Sequence, residues 1–332
     1  MLCDAPYSIA TMYLPGALLV LLVPLVTALP SPFSATIPLP LLIWHGLGDN
    51  YAADGIKAVG ELAQKIHPKT FVYPIRLDED PAADRRASFF GNLTTQIDQV
   101  CTAISEHPVL SQSRRVDAVG FSQGGQFLRG LVERCDAVAV RSLVTFGSQH
   151  NGISDFQACA SNDWLCKGAM GLLRSNTWST FIQGRLVPAQ YYRSTNQTTG
   201  LANDEYLQYS NFLADVNNER EVKNATYARR LAALENFVMY VFEDDKAVIP
   251  KESGWFAEVN RTDGAVTHLR NRTIYTEDWI GLKKLDQKEG LVFRSIKGEH
   301  MSLDDEVLGK AFKEFFGPEK RGERLVSESW EL

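Results

Sequence analysis

Apolar residues along this chain fall into short continuous runs, separated by stretches in which they recur every third or fourth position. Pro38 and Pro40 lead into Leu41-Leu42-Ile43-Trp44. A run of this kind reads as a strand buried on both faces. Similar runs follow at Thr70 to Ile75, Val116 to Phe121, Ser142 to Gly147, Phe237 to Phe242 and Leu291 to Ile296. Between them the spacing changes to that of amphipathic helices. One covers about Ile56 to Ile66, a second carries Leu93, Ile97, Val100 and Ile104, and a third runs from Gln126 to Cys135 with Phe127, Leu128, Leu131 and Val132 on one face. A last helix ends near Phe316. Strands alternating with helices predict an α/β fold, a parallel sheet with helices on both faces.

One connection breaks this rhythm. Residues 148–236 are far longer than a normal crossover, which points to an insertion with a function. They contain Trp164, Met170, Leu172, Leu173, Trp178, Phe181, Ile182, Leu186, Val187, Tyr191 and Tyr192. Part of this set is expected to pack on the main core, and part to form a helical cap whose apolar underside roofs a substrate groove. Residues 318–332 read as a polar tail, and no internal repeat is visible.

Composition narrows the class. The chain has 332 residues, 45% of them apolar and 22% charged, which is enough for one large core. A formal net charge of -6 without a long Lys/Arg run removes the usual electrostatic reason to bind nucleic acid. Leu14 to Leu29 is uncharged, so residues 1–29 are expected to be a signal peptide. The run falls short of the ~20 residues of a membrane span, and no other segment approaches that length. Sequons occur at Asn92, Asn196, Asn224, Asn260 and Asn271. Beyond the leader lie Cys101, Cys135, Cys159 and Cys166, an even set that permits three pairings. Leader, sequons and cysteines together point to the oxidising secretory pathway.

The chemistry centres on Gly120-Phe121-Ser122-Gln123-Gly124, a G-x-S-x-G motif between an apolar strand and an amphipathic helix. That setting defines a nucleophile elbow, where small residues let the backbone pack around a strained turn. It predicts the α/β-hydrolase fold with Ser122 as nucleophile. A serine hydroxyl needs a histidine to take its proton and a carboxylate to orient that histidine, here in the chain order Ser, acid, His. Of the six histidines, only His268 and His300 lie far enough along. His300 follows the last strand in Gly298-Glu299-His300 and is the expected base; His268, in a polar strandless stretch, reads as a surface residue. Glu243-Asp244-Asp245 follows the strand ending at Phe242. Asp245 opens an Asp-x-x-Val turn that aims it inward, with Asp244 as runner-up. The backbone N–H groups of Leu47, in His45-Gly46-Leu47-Gly48, and of Gln123 are the expected oxyanion donors.

Taken together, His45-Gly46-Leu47-Gly48-Asp49, Gly120 to Arg129 and Gly298-Glu299-His300 resemble the palmitoyl-protein thioesterases. The resemblance extends over residues 38–317, with further matches at Phe212 to Asn217, Glu219-Arg220, Ser253 to Phe256, Tyr275 to Asp278 and Gly281-Leu282. It implies a secreted, lysosomal or vacuolar enzyme that releases long fatty acyl chains from cysteine thioesters of proteins, without metal or cofactor. It places the triad at Ser122, Asp245 and His300 and the oxyanion donors at Leu47 and Gln123. It further implies disulfides Cys101–Cys135 and Cys159–Cys166. The chain departs from the family in carrying Tyr51-Ala52 where members have a vicinal cysteine pair, in its uncharged leader and in its tail. A lipase or carboxylesterase acting on fatty acyl oxyesters is the alternative within the same chemistry, and a lipid carrier is the alternative outside it.

Overall fold

Six strands line up side by side in the order β2-β1-β3-β4-β5-β8, every neighbouring pair parallel. They are β1 (Leu41–Trp44), β2 (Val72–Pro74), β3 (Arg115–Phe121), β4 (Ala139–Phe146), β5 (Asn236–Phe242) and β8 (Leu291–Ile296). A short antiparallel hairpin, β6 (Glu258–Val259) with β7 (Val266–Thr267), stands apart. This computed structural model describes residues 37–319 apart from 156–161, 165–166, 169–170, 172–175 and 197–200. The expected leader, the Cys159–Cys166 pair, Met170, Leu172, Leu173 and most of the tail lie outside the described residues.

Continuous apolar strands need cover on both faces, and they have it. On one face Leu42, Trp44, Ala118 and Leu143 pack with Ile97, Val100, Phe127 and Leu131. Those partners come from α3 (Leu93–Glu106) and α4 (Gln123–Arg134). On the other face Leu41, Ile43, Val119 and Val144 pack with Ile56, Val59, Leu308 and Phe312. These belong to α1 (Asp54–Ile66) and to the C-terminal helix, α6 (Asp305–Phe315). Among the described residues no helix is long and apolar enough to cross a membrane.

The strands and helices stand where the periodicity places them, with informative shifts at their ends. α4 starts at Gln123 rather than Gln126, because the glycines after Ser122 already follow helical backbone. β2 spans Val72–Pro74 alone and β4 begins earlier, at Ala139. Val266–Thr267 pairs with Glu258–Val259, so the stretch before His268 is not strandless; His268 itself is exposed. The periodicity missed α2 (Pro81–Ala87), which has little apolar face. Its start is nevertheless written in Asp80-Pro81: the Asp80 carboxylate accepts from the Ala82 and Ala83 N–H groups, and proline suits the first helical turn.

Residues 148–236 form several short helices, at Thr180–Gln183, Val187–Gln190, Asp204–Tyr209, Leu213–Val216 and the longer α5 (Ala225–Ala232). Leu186, Val187, Tyr191, Tyr206, Phe212 and Leu213 are buried, whereas Phe181 and Trp164 are 62% and 80% exposed. The segment is stitched to the strip after α2: Gly91 N–H donates to the Arg185 carbonyl and Val187 N–H to the Phe89 carbonyl. Cys101 in α3 and Cys135 at the end of α4 form a disulfide. At the other end of the chain, Leu39 N–H donates to the Gly317 carbonyl and Pro318 bridges to Pro38, so the first tail residues pack on the body.

Candidate active site

The sheet register brings Phe121 of β3 beside Phe146 of β4, and Phe242 of β5 beside Ile296 of β8. The loops leaving the carboxyl ends of β3, β5 and β8 are thereby neighbours, as expected for a site in an open parallel sheet. Each carries one of Ser122, Asp245 and His300.

Ser122 follows β3 with φ 51° and ψ -126°, a backbone that side-chain-bearing residues rarely adopt. Its neighbours explain how the turn is held. A Cβ on Gly120 would lie 2.3 Å from Gly125 Cα, and one on Gly125 would lie 2.1 Å from Ser148 Oγ. Strand and helix backbones meet there with no room for a methyl group. The loop after β1 also passes close: a Cβ on Gly46 would lie 3.2 Å from Ser122 Cβ and 3.9 Å from its Oγ. Leu47 therefore sits one residue from the point of contact. Gln123 is the first residue of α4, where a helix offers its own N–H groups no internal acceptor.

His300 Nε2 stands 3.1 Å from Ser122 Oγ and its Nδ1 stands 2.7 Å from Asp245 Oδ2. The His300 side chain is 20% exposed and Asp245 1%. The other Asp245 oxygen, Oδ1, accepts from the N–H groups of Ala247 and Val248, which is the inward-aiming turn read from the sequence. Asp244 is exposed and takes no place in this chain of contacts; its N–H donates to the Gly298 carbonyl, fastening the His300 loop. Gly147 completes the setting: with φ 57°, it leaves the space that a Cβ would occupy 3.0 Å from His300 Cε1.

Two other histidines are buried. His150 Nε2 is 3.0 Å from Thr145 Oγ1, its ring stacks on Phe256, and burial, reinforced by the Arg129 charge, pushes its pKa well below the ordinary value. It is a neutral core residue. His45 Nε2 is 3.1 Å from Asp84 Oδ2. Burial alone would raise the Asp84 carboxyl, but hydrogen bonds from His45, the Leu77 N–H and the Tyr51 N–H outweigh it and hold the carboxyl below its usual value. Sequence reasoning missed Asp84 and Ser88, and read Tyr191 only as one of the insertion's apolar residues. Ser88 O accepts from Gln123 Nε2 and Tyr191 Oη donates to Gln123 Oε1, so both ends of the Gln123 amide are held. Among the described residues, no group of three or more His, Cys, Asp or Glu is arranged to hold a metal ion. The sequon residues Asn196, Asn224 and Asn271 are exposed; Asn92, which caps α3, and Asn260 are half-buried.

Topology and site geometry define an α/β-hydrolase carrying a Ser-His-Asp arrangement at its strand ends. Residues 40–300 match the sequence profile of the family described as palmitoyl protein thioesterase. Palmitoyl-protein thioesterase 1 of Caenorhabditis elegans is 34% identical over 279 residues, 83% of this chain and 90% of its own. Palmitoyl-protein thioesterase 3 of Dictyostelium discoideum is 31% identical over 85% of this chain and 90% of its own. A palmitoyl-protein thioesterase-dolichyl pyrophosphate phosphatase fusion of Schizosaccharomyces pombe is 35% identical over 88% of this chain, which corresponds to 46% of the fusion. The chain belongs to the palmitoyl protein thioesterase family.

Proposed function

We propose that the protein hydrolyses the thioester between a long fatty acyl chain and a cysteine of a lipidated protein or peptide. Ser122 acts as nucleophile, His300 as general base and acid, Asp245 as the orienting carboxylate, and the Leu47 and Gln123 N–H groups as oxyanion donors. The observation that carries this reading is the unbroken Ser122–His300–Asp245 chain of 3.1 and 2.7 Å. His300 Nε2 takes the Ser122 proton while Oγ bonds to the acyl carbon and the carbonyl electron pair moves to oxygen. Collapse expels the cysteine thiolate, which takes the proton from His300. Water then repeats the sequence on the acyl-enzyme, releasing the fatty acid.

Preference for a long acyl chain is supported by exposed apolar side chains near the loop after β1. Phe90, next to the buried Phe89 that packs under Gly48, is 38% exposed and bridges to Leu186 of the insertion, on which Phe181 is 62% exposed. This is the side on which a cap formed by residues 148–236 would roof the groove. An oxidising lumenal or extracellular compartment is supported by the Cys101–Cys135 disulfide and by relatives named lysosomal thioesterase, the human one 26% identical over 295 residues.

A panel crossing acetyl and palmitoyl chains with cysteine thioesters and oxyesters, below micelle-forming concentrations, tests both halves. Palmitoyl thioester should have the highest kcat/KM, since each buried methylene is worth up to ~0.8 kcal/mol. Equal kcat/KM for acetyl and palmitoyl would overturn the groove, and faster oxyester turnover would make the protein a lipase-like esterase. Ser122→Ala should abolish turnover and fluorophosphonate labelling; a folded variant that keeps most of its rate would require another nucleophile.

A further inference from the structure

Oxyanion donors work only if their backbone is held at the right place before the charge develops, because a loop that must reorganise loses the advantage. Here one short helix holds the loop that carries Leu47 at several points, while the Ser122 and His300 side chains bond to each other and to Asp245 rather than to this helix. From α2 and the residue after it, Asp84, Arg85 and Ser88 each reach back across some forty positions of sequence. Asp84 Oδ2 lies 3.1 Å from His45 Nε2 and accepts from the Tyr51 N–H at 2.9 Å, while its Oδ1 accepts from the Leu77 N–H at 2.7 Å. Arg85 Nε donates to the Gly48 carbonyl at 2.6 Å, and Ser88 Oγ accepts from the Gly48 N–H at 2.8 Å. Ser88 also fixes the second donor's residue, because its carbonyl accepts from Gln123 Nε2 at 3.0 Å.

Asp84 is fully buried and His45 is 2% exposed. A carboxylate so placed persists only when its oxygens are satisfied, and three donors from two loops satisfy them. His45 precedes Gly46, the residue whose backbone runs against Ser122, and Tyr51 closes the loop at its far end. Tyr51 is tied a second time by its hydroxyl, which donates to the Glu79 carbonyl. The loop is thus gripped before, within and after the Leu47 segment.

We propose that Asp84 is a positioning residue for the oxyanion hole, acting through His45 and Tyr51, with Arg85 of the same helix and Ser88 just after it clamping Gly48. This inference rests on the functional reading above. Its distinctive signature is a defect confined to species that carry an oxyanion. Asp84→Asn keeps the volume but turns one carboxylate oxygen into an NH2 group, which in either orientation of the amide faces at least one N–H donor, so the loop must shift. Ser88→Ala makes a smaller perturbation at Gly48 and serves where Asp84→Asn fails to fold.

The test compares wild type with both variants in three measurements: kinetics on a palmitoyl thioester peptide, inhibition by a palmityl trifluoromethyl ketone, and binding of palmitate. The ketone accepts Ser122 Oγ at its carbonyl carbon and becomes a hemiketal whose oxygen occupies the oxyanion hole, whereas palmitate needs no such donors. Asp84→Asn should lower kcat by up to about 100- to 1000-fold, the range for loss of one oxyanion donor, with KM nearly unchanged. Ketone affinity should fall by a similar factor while palmitate affinity holds, and Ser88→Ala should show the same pattern at smaller amplitude. If folded variants bound the ketone as tightly as wild type, or lost palmitate and ketone equally, the clamp would be overturned. A wild-type protein that neither turned over the thioester nor bound the ketone would instead overturn the functional reading beneath it.

Discussion

A methyl group placed on Gly124 would lie 2.3 Å from the carbonyl oxygen of His45 and 2.4 Å from that of Trp44. The start of α4 is therefore packed backbone to backbone on the end of β1 and the loop that follows it. Neither partner is a side chain that can rotate aside. Gly124→Ala should destabilise the fold by roughly 1–3 kcal/mol or more and reduce kcat in whatever fraction folds. Urea unfolding alongside active-site titration checks this; wild-type stability with full activity would mean that the two backbones stand further apart.

The neighbouring aspartates separate cleanly. The Asp245 side chain is 1% exposed and bonded to His300, whereas Asp244 is exposed. Asp245→Asn should lower kcat by about 10⁴-fold by presenting the wrong partner to His300 Nδ1, and Asp244→Asn should cost little. Steady-state kinetics of the two variants decide it, and the reverse ranking would move the orienting role to Asp244.

The Cys101–Cys135 bond closes a loop of 34 residues between the two helices that cover one sheet face. In the chain-entropy view such a loop is worth about 3–4 kcal/mol. Non-reducing peptide mapping should recover this pair, and Cys101→Ser/Cys135→Ser should lower the unfolding midpoint without moving KM. Free thiols at both positions would remove the argument for an oxidising compartment.

Stability should also depend on pH in a definite direction. Burial pushes the Glu133 carboxyl up from 4.5 to about 8 in spite of Arg129 3.0 Å away, and burial pushes Asp117 up from 3.8 to about 7 in spite of Arg141. Both groups hold their protons more tightly folded than unfolded. Their stabilising contribution is complete below the unfolded values and is lost as pH rises through the folded ones, by up to ~1.4 kcal/mol per pH unit for each group. Neutral, buried His150 pulls the other way over the same range, so the decisive comparison is between wild type and Glu133→Gln: the melting temperature of the variant should fall less, or rise more, from pH 5 to pH 8 than that of wild type. Identical pH profiles for the two proteins would contradict this.

The alternation of buried runs and helical faces was enough, by itself, to specify the three-layer sheet, because a strand covered on both faces must be apolar at every position. The G-x-S-x-G motif, with glycines two positions either side of Ser122, and the position of His300 just past the final strand singled out two residues that the structure brings within 3.1 Å of each other. Asp245 was legible for a similar reason: its turn closes on Ala247 and Val248, two and three residues away. Other features depend on contacts between distant segments and leave no local pattern. α2 was invisible to periodicity, its value lying in Asp84 and Ser88 meeting residues 39 and 40 positions earlier. The insertion's apolar residues likewise read alike in sequence, and only tertiary packing separates buried Leu186 and Tyr191 from exposed Phe181. Which apolar side chain faces core, groove or water is set by what lies opposite it, and that partner is chosen by the fold as a whole.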